Sequence, residues 1–168
     1  QRAKEKRWKL DYAHGLTHVA MGQGMVQDKE ASLAASLEAE KLFRETANEF
    51  NDASARDAEV EAGYRAGGVL KWMGRNEESL AKLRATESIA EKLASESPGS
   101  VRRQDNLAIN DSVIGDLLIA MNDIEGALKH YRRCYEISQT QLTLRPNDGF
   151  RRGRVAFSSS TARTGRIT

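Results

Sequence analysis

His14 and His18 stand four residues apart in "LDYAHGLTHVAMGQG", with Asp11 one helical turn before His14. On a helix that spacing directs both imidazoles to one side, where a transition metal could bind them and Asp11 could add an oxygen. A zinc centre needs further ligands, and no other Cys or His stands nearby. The pair therefore reads as two partly exposed helix residues, and no metal is expected. Cys134 has His130 one turn away, but it sits where a small core residue belongs, so an inert buried thiol is expected. His130 itself reads as a surface histidine. "GYRAGG" and "GQG" lack the preceding strand and the Gly-Lys-Ser/Thr of a phosphate loop. The carboxylates are spread over helix faces and read as partners of neighbouring bases, as in Glu38–Lys41 and Glu87–Glu91–Lys92. Ser158 to Thr161 offers hydroxyls beside Arg154 and Arg163 for a basophilic kinase, a combination common by chance. No catalytic constellation emerges, so neither enzyme activity nor a cofactor is expected.

The 168 residues that would have to position any such groups are 39% hydrophobic and 30% charged, enough to bury a core and stay soluble. Pro98 and Pro146 are the only prolines and β-branched runs are scarce, which favours helices over strands. The apolar runs are too short to span a bilayer, and the N-terminus has no signal-peptide pattern. A single cysteine excludes an internal disulfide framework and suits a cytoplasmic setting. Residues 1–100 carry a net charge of −2 and residues 101–168 carry +4. The excess lies mainly at Arg145, Arg151, Arg152, Arg154, Arg163 and Arg166, and reads as a solvated end. Trp8 and Trp72 read as packing residues. An aromatic-poor chain lacks the interleaved aromatic and basic residues of single-strand binding, so nucleic acid is not the expected partner.

A repeat organises these segments. An offset of 48 pairs Gly67 with Gly115, Leu70 with Leu118, Leu83 with Tyr131, Ile89 with Ile137 and Pro98 with Pro146. A step of 47 backwards pairs Ala20 with Gly67, Leu33 with Leu80 and Asn51 with Pro98. Each unit has two apolar-periodic helices: in the third, Leu107, Ile114, Leu118 and Met121, then Ala127, Leu128, Tyr131, Cys134 and Ile137. Asp123 is the expected N-cap of the last. Gly115 and Ala127 mark the crossing of two helices, with Tyr131 and Cys134 filling the space beside it.

The run Gly115, Ala127, Tyr131, Cys134, Pro146 resembles the tetratricopeptide repeat, in a long variant similar to repeats of bacterial Ser/Thr kinases and other multidomain regulators. "WKLDYAHG", from Trp8, resembles the opening of such a unit. The resemblance covers most of 8–146 and is fullest in the third unit; the first has Ala20 for glycine, Ser32 for the small second-helix residue and Asn51 for proline. It implies an all-α fold of antiparallel hairpins stacked in a right-handed superhelix. The repeats would be 1–51, 52–98 and 99–146. Residues 147–168 would form a capping helix or a truncated fourth repeat, Val155 and Ala156 falling on Leu107 and Ala108. The start at Gln1 points to a fragment of a larger protein.

The same resemblance implies that the first helices line a concave groove. Its residues would be His14, Thr17, Met21 and Gly24; then Glu61, Tyr64, Gly68 and Lys71; then Ile109, Ser112, Asp116 and Ile119. Gly67, Gly115, Ala127, Tyr131, Cys134, Pro98 and Pro146 would be structural. The expected function is a non-catalytic protein-interaction scaffold holding a peptide or protein segment, without a membrane anchor. The alternatives are a spacer that self-associates through its terminal repeats and, behind it, nucleic-acid binding by the Arg-rich end.

Overall fold

The computed structural model describes residues 1–25, 28–144, 149, 152–153 and 155–156. Among them the fold is all-α: α1 Arg2–Met25, α2 Lys29–Phe50, α3 Ala53–Trp72, α4 Asn76–Glu96, α5 Val101–Ala120 and α6 Ile124–Leu144, with no strand. Pro146 and nearly all of 147–168, including the Ser158–Thr161 cluster, lie outside the described residues. The chain divides into two compact units, Gln1–Thr86 and Glu87–Thr168, so the division falls inside α4.

Local chemistry sets the helix ends. Asp28 and Asp52 precede α2 and α3, and each carboxylate accepts from free amides of the first turn, Ala31 for one and Ser54 with Ala55 for the other. Asp123 does the same for α6, accepting from the Gly126 amide at 2.9 Å as its position predicts. Gly74 (φ +75°) closes α3 and Asn122 (φ 64°) closes α5, both left-handed. The Arg75 amide then reaches back to Leu70 O at 3.0 Å, and the Asp123 amide to Leu118 O at 2.8 Å. These two turns are the same motif one repeat apart, satisfying carbonyls that the helix end leaves open.

In the first unit α2 packs against both α1 and α3. Ala13, Ala39, Phe43, Ala58 and Ala62 form one buried cluster, flanked by Leu10, Leu16 and Leu42. Leu33, Ala66, Val69 and Leu70 form another, with Met73 against it. Alanine dominates because helix axes can approach closely where side chains are short. The Ser32 hydroxyl donates to Ala20 O at 2.8 Å, and the Ser79 hydroxyl to Gly67 O at 2.7 Å. Each bond ties the second helix of a hairpin to the first at the same repeat position.

In the second unit α5 and α6 pack on each other around Leu107, Ile114, Leu117, Leu118, Ala127, Tyr131 and Cys134, all buried. A Cβ at Gly67 would meet the Leu83 side chain at 2.5 Å, and one at Gly115 would meet the Tyr131 ring at 2.9 Å. Leu83 and Tyr131 are repeat equivalents, so both glycines exist for the same close approach. Gly115 therefore faces the Tyr131 ring, and Ala127, also buried, lies one turn before it on α6. Trp8 and Trp72 depart from their expected packing role, since both are well exposed.

Candidate functional site

The residues assigned to the groove fall on the first helices of their hairpins. His14 and Met21 on α1 are exposed and Thr17 is half-buried. The His14 ring meets Phe43 of α2 edge-on at 5.0 Å, so its aromatic side belongs to packing. The surroundings of Gly24 lie outside the described residues. On α3, Glu61, Tyr64, Gly68 and Lys71 are all half-buried, and the Arg65 guanidinium lies 5.9 Å from the centre of the Tyr64 ring. On α5, Ile109, Ser112, Asp116 and Ile119 are likewise half-buried. Asp116 is engaged: the Tyr131 hydroxyl donates to its Oδ1 at 2.6 Å. Burial, then the hydrogen bond and charge of Asp116, raise the Tyr131 phenol above its ordinary pKa, so Tyr131 stays a neutral donor. Against these partly accessible positions, Gly67, Gly115, Ala127, Tyr131 and Cys134 are all buried.

The structure also assembles a charged cluster in the second unit that local spacing does not reveal. Arg133 of α6 donates from Nε to Asp111 Oδ2 at 2.6 Å. Its terminal nitrogens reach Asp111 Oδ1, Glu87 and Glu91. His130, one turn earlier on α6, places Nδ1 2.8 Å from Asp111 Oδ1 and 3.6 Å from Glu87. His130 is thus half-buried in an ion network, not a surface histidine. Burial works against the Arg133 charge, but Asp111, Glu87 and Glu91 outweigh it and raise the guanidinium above its ordinary pKa. Asp111 is fully buried, and a carboxylate there is tolerable only with a paired cation.

One ligand atom from each of Glu87, Asp111 and His130 lies within 4.8 Å of the others, a spacing that would suit a divalent ion. The Arg133 guanidinium already supplies the positive charge among the same oxygens. The arrangement is therefore a salt-bridge node tying the Glu87–Glu91 turn of α4 to α5 and α6. The pairings expected for these carboxylates are exchanged for others: Glu87 and Glu91 turn to Arg133, and elsewhere the partner changes, within the same helix for both lysines. Lys92 pairs with Glu96 at 4.0 Å, Lys41 with Glu45 at 4.0 Å, and Glu38 accepts from the Tyr12 hydroxyl at 3.4 Å.

The missed node did leave a trace in the repeat. Glu40 pairs with Lys82 at 2.8 Å in the first unit, and Glu87 and His130 are their equivalents one repeat later. Comparison with family models, curated proteins and solved structures finds no match to the chain.

Proposed function

We propose that the chain is a non-catalytic protein-interaction scaffold built from tetratricopeptide-like hairpins stacked in a right-handed superhelix. Its ligand would be an extended or helical peptide segment lying along the first helices. The observation that carries this reading is a partition. The residues that the repeat needs for close packing are buried, whereas each described groove residue on α1, α3 and α5 keeps accessible surface. A preformed helical surface loses little freedom on binding, which suits recognition of a segment that must itself become ordered. The place of such a module in a larger bacterial regulator, including a Ser/Thr kinase, rests on the resemblance of the third unit alone.

Affinity capture from a native lysate tests the groove, comparing the unaltered chain with a Tyr64→Ala/Lys71→Glu chain after both are shown to be equally helical and stable. A partner held only by the unaltered chain supports the reading. A partner held equally by both removes the α3 face from it.

A further inference from the structure

Trp8, Tyr12 and Val19 on α1 are 60%, 45% and 49% exposed, and the Trp8 and Tyr12 rings stack with centroids 5.7 Å apart. Gly15 and Gly22 continue the same stripe, and the space where their side chains would stand is open. The five residues step by four, three, four and three, the spacing of a seam against another helix. The repeat shows what such a seam is for. Forty-seven residues on, the equivalent positions of α3 are Ala55, Glu59, Ala62, Ala66 and Val69. All five are buried, in the unit where α3 packs on α2. The face that α3 covers with a helix is exposed on α1.

We propose that this stripe is a homodimer seam on which α1 of a second copy packs antiparallel. Shape selects the occupant and its direction. Both aromatic residues lie in the N-terminal half of the stripe and both glycines lie beyond them. A parallel copy would set Trp8 against Trp8 and leave facing glycines apart. Reversed, Tyr12 covers Gly15 of the partner subunit, and Trp8 lies against Val19 of the partner subunit. This register brings Asp11 beside His18 of the partner subunit on the flank away from α2. Asp11 and His18 are both exposed, and a ring N–H can donate to the carboxylate. The contact is its own mate under a twofold axis, so it closes at two copies. It is independent of the groove.

Sedimentation equilibrium of the whole chain tests the seam. The unaltered chain should show twice its 18.6 kDa mass in the micromolar range. Gly15→Leu should sediment as a monomer and, at a dilution where both chains are monomeric, melt no lower than the unaltered chain, because its new side chain enters open space in the monomer but the place of a partner's tyrosine in the dimer. Asp11→Lys should weaken the dimer about threefold to fivefold, and adding His18→Glu to it should restore the affinity. Monomeric mass at every concentration overturns the proposal, as does a dimer indifferent to Gly15→Leu. A face built for an upstream helix of a longer chain gives the first of these results. A dimer that Asp11→Lys leaves unweakened overturns the antiparallel register.

Discussion

Gly115 lies so close to the ring of Tyr131 that a Cβ added at residue 115 would stand 2.9 Å from both Cε1 and Cζ. The ring cannot simply withdraw, because it is buried and its hydroxyl is held by Asp116 at 2.6 Å. Gly115→Ala should therefore destabilise the fold by about 1–3 kcal/mol through overpacking. Gly68→Ala is the control: nothing lies within 4 Å of its new methyl, so relief of glycine's backbone entropy should stabilise by up to about 1 kcal/mol. Urea denaturation of the two variants should give changes of opposite sign.

Ser79→Ala removes a buried hydroxyl that donates to Gly67 O and should cost about 1 kcal/mol. The third repeat supplies the reverse experiment, since Ala127 stands one repeat on from Ser79. Ala127→Ser places a hydroxyl where it can reach Gly115 O, so the loss there should stay below about 0.5 kcal/mol or become a gain. Equal losses at both sites, measured by denaturation, would refute the equivalence.

Arg133→Met should cost more than either. It strips the guanidinium from a fully buried Asp111. Breaking a wholly buried pair costs about 3–5 kcal/mol. With the Arg133 side chain 33% exposed and water screening part of the interaction, about 2–3 kcal/mol is expected. Arg133→Lys should rescue little, because one ammonium cannot fork to three carboxylates. A double-mutant cycle with Asp111→Asn should show strong coupling.

Removing the guanidinium also changes what a metal can do. Replacing Arg133 by Ala removes the competing cation from Glu87, Asp111 and His130, whose ligand atoms lie within 4.8 Å of one another in the unaltered chain. Added zinc should raise the melting temperature of Arg133→Ala and leave that of the unaltered chain nearly unchanged. A similar rise in both would show that the guanidinium does not hold the position.

Asp52 links stability to pH. The Lys6 ammonium, followed by the Ala55 amide and the Ser54 hydroxyl, holds its carboxyl well below the usual range. A carboxyl depressed in the folded state contributes fully above its unfolded pKa, near 3.8, and loses that contribution as pH falls through the folded value. Asp52→Ala should cost about 1 kcal/mol at neutral pH as a lost cap. The gap between the two chains should narrow as the solution is acidified below that range, which denaturation at neutral pH and near pH 3 can follow.

Helix positions, caps and the crossing at Gly115 were legible because they are local or repeat at a fixed step. Asp123 signals its helix within three residues, and Gly67 predicts Gly115. The Arg133 node was not legible because its partners are far apart in sequence: Arg133 and Glu87 are separated by 46 residues. A long basic side chain has no periodicity to betray where it turns. The exposed Trp8 and Trp72 escaped for a different reason. Large apolar residues favour the interior, but residue type alone does not say which of them the fold leaves outside. Accessibility at Tyr64 or Lys71 could be inferred from the repeat, but what lies on it cannot.

Cys134 is the chain's single thiol and is fully buried beneath α5. A thiol-reactive dye in solution reaches it only during excursions in which α6 parts from its neighbours, so the labelling rate counts those excursions directly. When reclosing outpaces the reagent, each 1.4 kcal/mol removed from the packing of the second unit should speed labelling about tenfold. The molecule thus carries a natural clock for its own opening, one residue along α6 from the arginine that holds it shut.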